Sequence, residues 1–161
     1  VIEHLTTDPM GMMGEISRVC RRGGTLVMTT PNLISWKVLG RIVAGEHPSS
    51  WSYYSGFHTD RHNREYTPSE MGALMSASGF DVDKLITFSQ SGLQKGHRWM
   101  RALMKPLGRF WELPEEGLRG DYILTAGHKT GEVKERYPDW LYGGYKEERL
   151  RANKDAAGER R

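Results

Sequence analysis

R-V-C-R-R-G-G-T-L-V-M-T-T-P-N, residues 18–32, is the stretch from which the rest of the chain is read. Arg18 to Arg22 read as the last turn of a helix, closed by Gly23 and Gly24. Glycine enters the left-handed conformation that ends many helices without steric cost, and cations suit the helix's negative end. Thr25 to Thr30 then form a short apolar, β-branched run between glycine and Pro31, the pattern of a buried, parallel strand covered on both faces. Helix, glycine turn and strand make half of an α/β unit. Ligands of open parallel sheets bind at the carboxyl ends of strands, so Thr30, Pro31 and Asn32 become site candidates.

Working outward, residues 1–5 (V-I-E-H-L) read as the end of another strand, with Glu3 and His4 at the sheet's carboxyl edge. A helix should start at Asp8-Pro9, a capping residue followed by proline in the first helical position. Its apolar face is Met12, Met13, Ile16, Val19 and Cys20. Leu33 to Ala44 read as an amphipathic helix ended by Gly45. Thr67-Pro68-Ser69-Glu70 has the capping-box pattern of a further helix start, with Met71, Leu74 and Met75 facing inward and Gly79 at the end. Strand patterns follow at 80–88 and 121–126.

Between these elements lie two irregular stretches. Residues 46–66 lack periodicity but carry Trp51, Tyr53, Tyr54, Phe57 and Tyr66, an aromatic content that argues against disorder. A lid over a cleft is the preferred reading, since amphipathic aromatics exclude water and still hydrogen-bond a substrate; a cluster that only covers the sheet end is the alternative. Residues 92–118 form a basic amphipathic insertion. Its centre, 95–111, has five Lys or Arg and no acid, with Trp99, Met100, Leu103, Met104, Leu107 and Phe110 at helical spacing. Packing beside the domain core is the first expectation for it, peripheral contact with an anionic membrane the second, and nucleic acid the weakest. Residues 131–161 read as a charged tail.

Composition narrows the class. Mean hydropathy is −0.63 and the pI about 9.0, with a net charge of +3 concentrated in local clusters, so a general nucleic-acid surface does not follow. No apolar run approaches the about 18 residues that span a bilayer, and no signal-like segment opens the sequence. A single cysteine, Cys20, excludes an intrachain disulfide and reads as a small packing residue. A reducing cytoplasm is the default expectation.

Four pieces of the sequence resemble the class I S-adenosylmethionine-dependent methyltransferases in order and spacing: V-I-E-H-L at 1–5, E-I-S-R-V at 15–19, R-G-G-T-L-V-M-T-T-P-N at 22–32 and H-N-R-E-Y-T-P-S-E-M at 62–71. The resemblance covers the first half of the chain, and the strand patterns at 80–88 and 121–126 fit that family's last two strands, antiparallel at the sheet edge. It implies an α/β, Rossmann-like fold, with residues 1–130 as its carboxyl-terminal part and S-adenosylmethionine as cofactor. The sequence holds no G-x-G-x-x-G turn after a strand, so the strands that grip the cofactor's methionine and ribose are expected upstream of Val1.

The site residues follow from that resemblance. Val1 and His4 would border the cofactor. Asn32, Trp51, Tyr54, His58 and Tyr66 would contact the acceptor, a small molecule such as a sugar, lipid or quinone precursor. Methyl transfer from a sulfonium needs an aligned nucleophile and often a base, for which histidine is suited near neutral pH. His62 is the first candidate, with Glu3 and His4 beside it and Arg64 and Glu65 as orienting partners. No resident metal is expected in this reading. A second resemblance, to the small-RNA 2′-O-methyltransferases, would make Glu3, His4 and His62 ligands of a divalent metal. A third reading is a non-catalytic half-domain that binds a partner.

Overall fold

A computed structural model describes residues 1–48, 62–89 and 116–143. The chain is mixed α/β. Helices α1 (Pro9–Val19), α2 (Trp36–Val43), α3 (Pro68–Ala77) and α4 (Asp139–Tyr142) accompany strands β1 (Thr25–Pro31), β2 (Phe80–Phe88) and β3 (Tyr122–Lys129). Short 3-10 turns lie at Ile2–His4 and Glu116–Leu118. The sheet order is β1-β3-β2, and β3 runs antiparallel to both neighbours. β1 and β2 therefore share a direction, with the last strand inserted between them. Among the described residues no helix is long and apolar enough to cross a membrane.

Local chemistry sets the helix starts. Asp8 caps α1, its Oδ1 accepting the Met10 amide at 2.9 Å, and Pro9 takes the first helical position, where its missing N–H is not needed. Thr67 and Glu70 form the full capping box of α3: the Glu70 amide donates to Thr67 Oγ1 and the Thr67 amide to Glu70 Oε2. α3 ends at Gly79, whose φ of +87° lies in the left-handed region. A Cβ there would sit 2.5 Å from the carbonyl oxygens of Gly131 and Glu132, so only glycine fits beneath the chain crossing at 131–132.

One core fills the space between α1, α3 and one face of the sheet. It contains Ile2, Met10, Met13, Tyr66, Met71, Leu74, Met75, Ala77, Phe80 and Ile123. β3, in the middle, alternates buried and half-buried residues along its length, as a strand with one face on a core must. The opposite face carries Val27, Ile86 and Phe88, which are 58%, 38% and 42% exposed.

The structure corrects several expectations. β1 is present, but it is neither parallel to its hydrogen-bonded neighbour nor buried on both faces. It pairs antiparallel with β3, and Thr25, Val27 and Thr29 are exposed in alternation. α1 and α3 share one core with one face of the sheet, and the other face of β1 is exposed, so a β-branched run here signals strand without signalling two-sided burial. Residues 2–4 form a 3-10 turn where a strand end was expected.

α1 stops at Val19, and Arg21 to Gly24 form a separate turn closed by a 2.8 Å bond from the Gly24 amide to the Arg21 carbonyl. Its buried face is Met10, Met13 and Ser17; Val19 is 70% exposed. α2 begins at Trp36, three residues after the expected start, because Asn32 Oδ1 accepts the Ile34 amide and Ser35 caps the helix through the Val38 amide. The last strand runs on to Lys129.

Residues 131–143 pack against the domain. Arg136 donates to Asp8 Oδ2 at 2.6 Å, Tyr142 donates to Asp8 Oδ1, and the Lys134 and Glu135 amides bond the Ala77 carbonyl.

Candidate functional site

The carboxyl end of β1 opens into a cleft of about 300 Å³ lined in part by Glu3, His4, Thr30, Asn32, His62 and Glu65. Three segments meet there, and backbone bonds hold them. The Glu3 carbonyl accepts the amides of Asn63 (2.7 Å) and Arg64 (3.3 Å), while Asn63 Nδ2 donates to the His4 carbonyl at 2.8 Å. Tyr66 and Asn32 form a parallel bridge, with the Leu33 amide donating to the Tyr66 carbonyl. The 62–66 segment is thereby laid between the 3-10 turn and the end of β1.

Glu3 is buried. Its Oε2 accepts from Thr30 Oγ1 at 3.2 Å, and Oε1 lies 3.6 Å from His4 Nε2.

His4 meets His62 edge to face, ring centroids 4.8 Å apart at 77°. His62 Nδ1 lies 3.0 Å from Glu65 Oε1, and both side chains are nearly sealed, at 5% and 11% exposure. One ligand-capable atom from each of Glu3, His4 and His62 lies within 4.8 Å of the others.

The other expected site residues divide by what their side chains already hold. Asn32 is 1% exposed; its Nδ2 donates to the carbonyls of Leu118 and Gly120 and its Oδ1 accepts the Ile34 amide, so it ties the sheet end to the chain before β3. Tyr66, 1% exposed, belongs to the core, and burial pushes its hydroxyl up to about 12. Arg64 turns away to Glu70 Oε1 (2.7 Å) and stacks on the Tyr66 ring, so of the two expected orienting partners only Glu65 contacts His62. Trp51, Tyr54 and His58 lie outside the described residues, as does 95–111.

Lys37, Asp121 and Tyr122 also line the cleft and were not anticipated. Lys37 enters with the first turn of α2. Asp121 and Tyr122 enter because antiparallel pairing sets the start of β3 against the end of β1, with Pro31 opposite Tyr122. A strand order with β3 beside β1 would have revealed them.

A carboxylate and two imidazoles around one small volume can do two things chemically. They can take a proton from a bound hydroxyl or amine, and they can offer oxygen and nitrogen ligands to a divalent cation. The chain matches no family model and no curated protein.

Proposed function

We propose that this chain carries the acceptor side of an S-adenosylmethionine-dependent methyltransferase of Rossmann-like fold, acting on a small molecule such as a sugar, lipid or quinone precursor. The observation that carries the reading is the convergence of Glu3, His4 and His62 in a cleft at the carboxyl end of β1, where α/β sheets place ligands. The α-β-α-β order, with a reversed last strand inserted between β1 and β2, supports the resemblance of the four sequence motifs.

The cleft volume lies at the lower end for small-molecule sites, about 300–1,000 Å³. Its residues suit the acceptor and the methyl-bearing end of the cofactor, with Glu3, His4 and His62 meeting side by side in the lining. The cofactor, when bound, supplies an electrophilic methyl group. His62 takes the proton from the acceptor's O–H or N–H, and burial of its side chain excludes competing water. Thr30 fixes the Glu3 carboxylate by donating to Oε2, so the wall facing the acceptor keeps its shape and its negative charge. In this reading the enzyme works in the cytoplasm, and 95–111 is the stretch through which it would touch a membrane surface.

Calorimetric titration of S-adenosylhomocysteine into the natural polypeptide that carries this sequence tests the reading. Micromolar binding, with label passing from methyl-tritiated cofactor to a small acceptor and lost in His62→Gln, is the expected result. Absence of binding by a folded protein rejects the enzyme and leaves the non-catalytic half-domain.

The proximity of ligand atoms on Glu3, His4 and His62 favours one second reading, a metal-assisted RNA 2′-O-methyltransferase. Imidazole and carboxylate together suit a first-row divalent ion such as Mn²⁺, Fe²⁺ or Zn²⁺. Transfer that survives EDTA excludes it. Transfer that EDTA abolishes and Mn²⁺ restores, on RNA ends and not on small molecules, replaces the first reading with it.

A further inference from the structure

We propose that the acceptor is amphipathic, with its reacting head in the cleft and an apolar tail laid along the outer face of the sheet, over Tyr122, Phe88, Leu124 and Ile86. The inference rests on the methyltransferase reading for the head, and it narrows the acceptors to lipid or quinone precursors, setting sugars aside.

The cleft wraps around the end of β1. Successive residues of a strand point to opposite faces. Thr30 turns inward to the Glu3 carboxylate, while Thr29 and Pro31 share the outer face with the exposed Thr25 and Val27. Thr29, Pro31 and Tyr122 all line the cleft, so it opens onto that outer face. A volume of about 300 Å³ must house the acceptor's reacting end and the cofactor's methyl end together. A longer acceptor has to leave the cleft, and this face is where the lining continues.

Strand register orders the face. In the row nearest the cleft Pro31, Tyr122 and Phe88 lie side by side, and the two rings stack with centroids 5.5 Å apart at 26°. The next row is Thr29, Leu124 and Ile86. The third passes from Val27 to Lys84, and the fourth carries His128, which pairs with the Asp83 carboxylate. The face is therefore apolar beside the cleft and charged away from it. Four residue steps of about 3.4 Å separate the first row from the third, an apolar strip about 14 Å long. Single exposed apolar residues are ordinary; a contiguous patch at the mouth of a site marks a ligand surface. The first two rows offer side-chain hydroxyls only at Thr29 and Tyr122, too few to hold those of a sugar.

Calorimetric titration of para-alkylphenols, ethyl to octyl, into the natural polypeptide that carries this sequence tests the proposal, each phenol kept below its aggregation concentration. Affinity should rise about two- to fourfold for each added CH2, the range from a half-covered to a fully covered methylene. Ile86→Glu should bind para-ethylphenol within about twofold of wild type and lose about 30-fold in affinity for para-octylphenol. Absent binding or equal affinity across the wild-type series overturns the proposal, as does a rise with chain length that Ile86→Glu leaves intact. Should Ile86→Glu fail to fold, nuclear Overhauser contacts between the octyl chain and the Phe88 ring and Ile86 methyl groups decide in the wild type, their presence supporting the tail's place and their absence overturning it. The titrations need no turnover. Affinity that grows with chain length, without methyl transfer, sinks only the methyltransferase reading, and transfer to a sugar with a flat phenol series sinks only the apolar tail.

Discussion

Replacing Asp8 by Asn separates charge from shape at the point where the end of the described chain is fastened to its beginning. Asn caps helices as well as Asp does, so the bond from the Met10 amide survives the exchange. What changes is the pair with Arg136 and the bond from Tyr142. A hydrogen bond to a charged group contributes about 1.5–3 kcal/mol and a neutral one about 0.5–1.5. The difference, roughly 1–1.5 kcal/mol, is reduced by solvent screening, because the Asp8 and Arg136 side chains are 35% and 39% exposed. A loss of about 1 kcal/mol at pH 7 follows, readable as a shifted urea midpoint at unchanged slope.

The pH dependence is the sharper half of this prediction. Burial pushes the Asp8 carboxyl up, but the bonds from Arg136 and Tyr142 and the Arg136 charge outweigh it and hold the folded-state value below the ordinary one. Stability from a depressed carboxyl is fully present above the unfolded value, about 3.9 for aspartate, and is lost as pH falls through the folded one. The gap between wild type and Asp8→Asn should be constant from pH 7 to pH 5 and close below about 3.9. A gap that persists unchanged to pH 2.5, or none at pH 7, would refute the charge-pairing account.

Gly79→Ala should be the most damaging small change. It places a methyl group against two carbonyl oxygens at a positive φ, for a loss on the order of 3 kcal/mol by chemical denaturation. Thr67→Ala removes one half of the α3 capping box and should cost about 1 kcal/mol, with the loss of helicity seen by circular dichroism confined to a few residues. Val27→Lys places a charge on the uncovered sheet face and should shift stability by less than about 0.5 kcal/mol, since Val27 is 58% exposed. Thr30→Val should leave the fold intact yet lower methyl transfer, because Glu3 loses the hydroxyl that fixes its Oε2; unchanged transfer would show that this hydroxyl does not position Glu3.

What could be read from the sequence was what neighbouring residues settle among themselves. Thr67 and Glu70 announce their helix because both halves of the box lie within four residues, and Asp8-Pro9 does the same for α1. β2 falls on 80–88 because its apolar spacing sits between Gly79 and the irregular stretch after it. The direction of β1 was not legible. T-L-V-M-T-T suits a strand covered on one face as well as one covered on two, and the exposed threonines at 25 and 29 show their period of two only once the neighbour is known.

Long-range fastenings were equally silent: nothing near Asp8 points to Arg136, 128 positions away. The meeting of Glu3 and His4 with His62 was expected from the methyltransferase resemblance, and no local pattern marks it. Asn32 shows the converse difficulty. Its residue type and place suggested ligand contact, and its amide turns out to be engaged with backbone on both sides.

The strand order bears on how the chain can be made. β1 and β2 are synthesised first, and in the described sheet neither has a neighbour until β3, residues 122–129, follows. A ribosome adding about 5–20 residues per second therefore releases two apolar ribbons well before the strand that joins them. Closure must come late and nearly all at once, since β3 satisfies both inner edges in one step. A premature stop codon near residue 118 would accordingly yield no smaller version of this sheet, only two open edges of the kind that chaperones and proteases recognise.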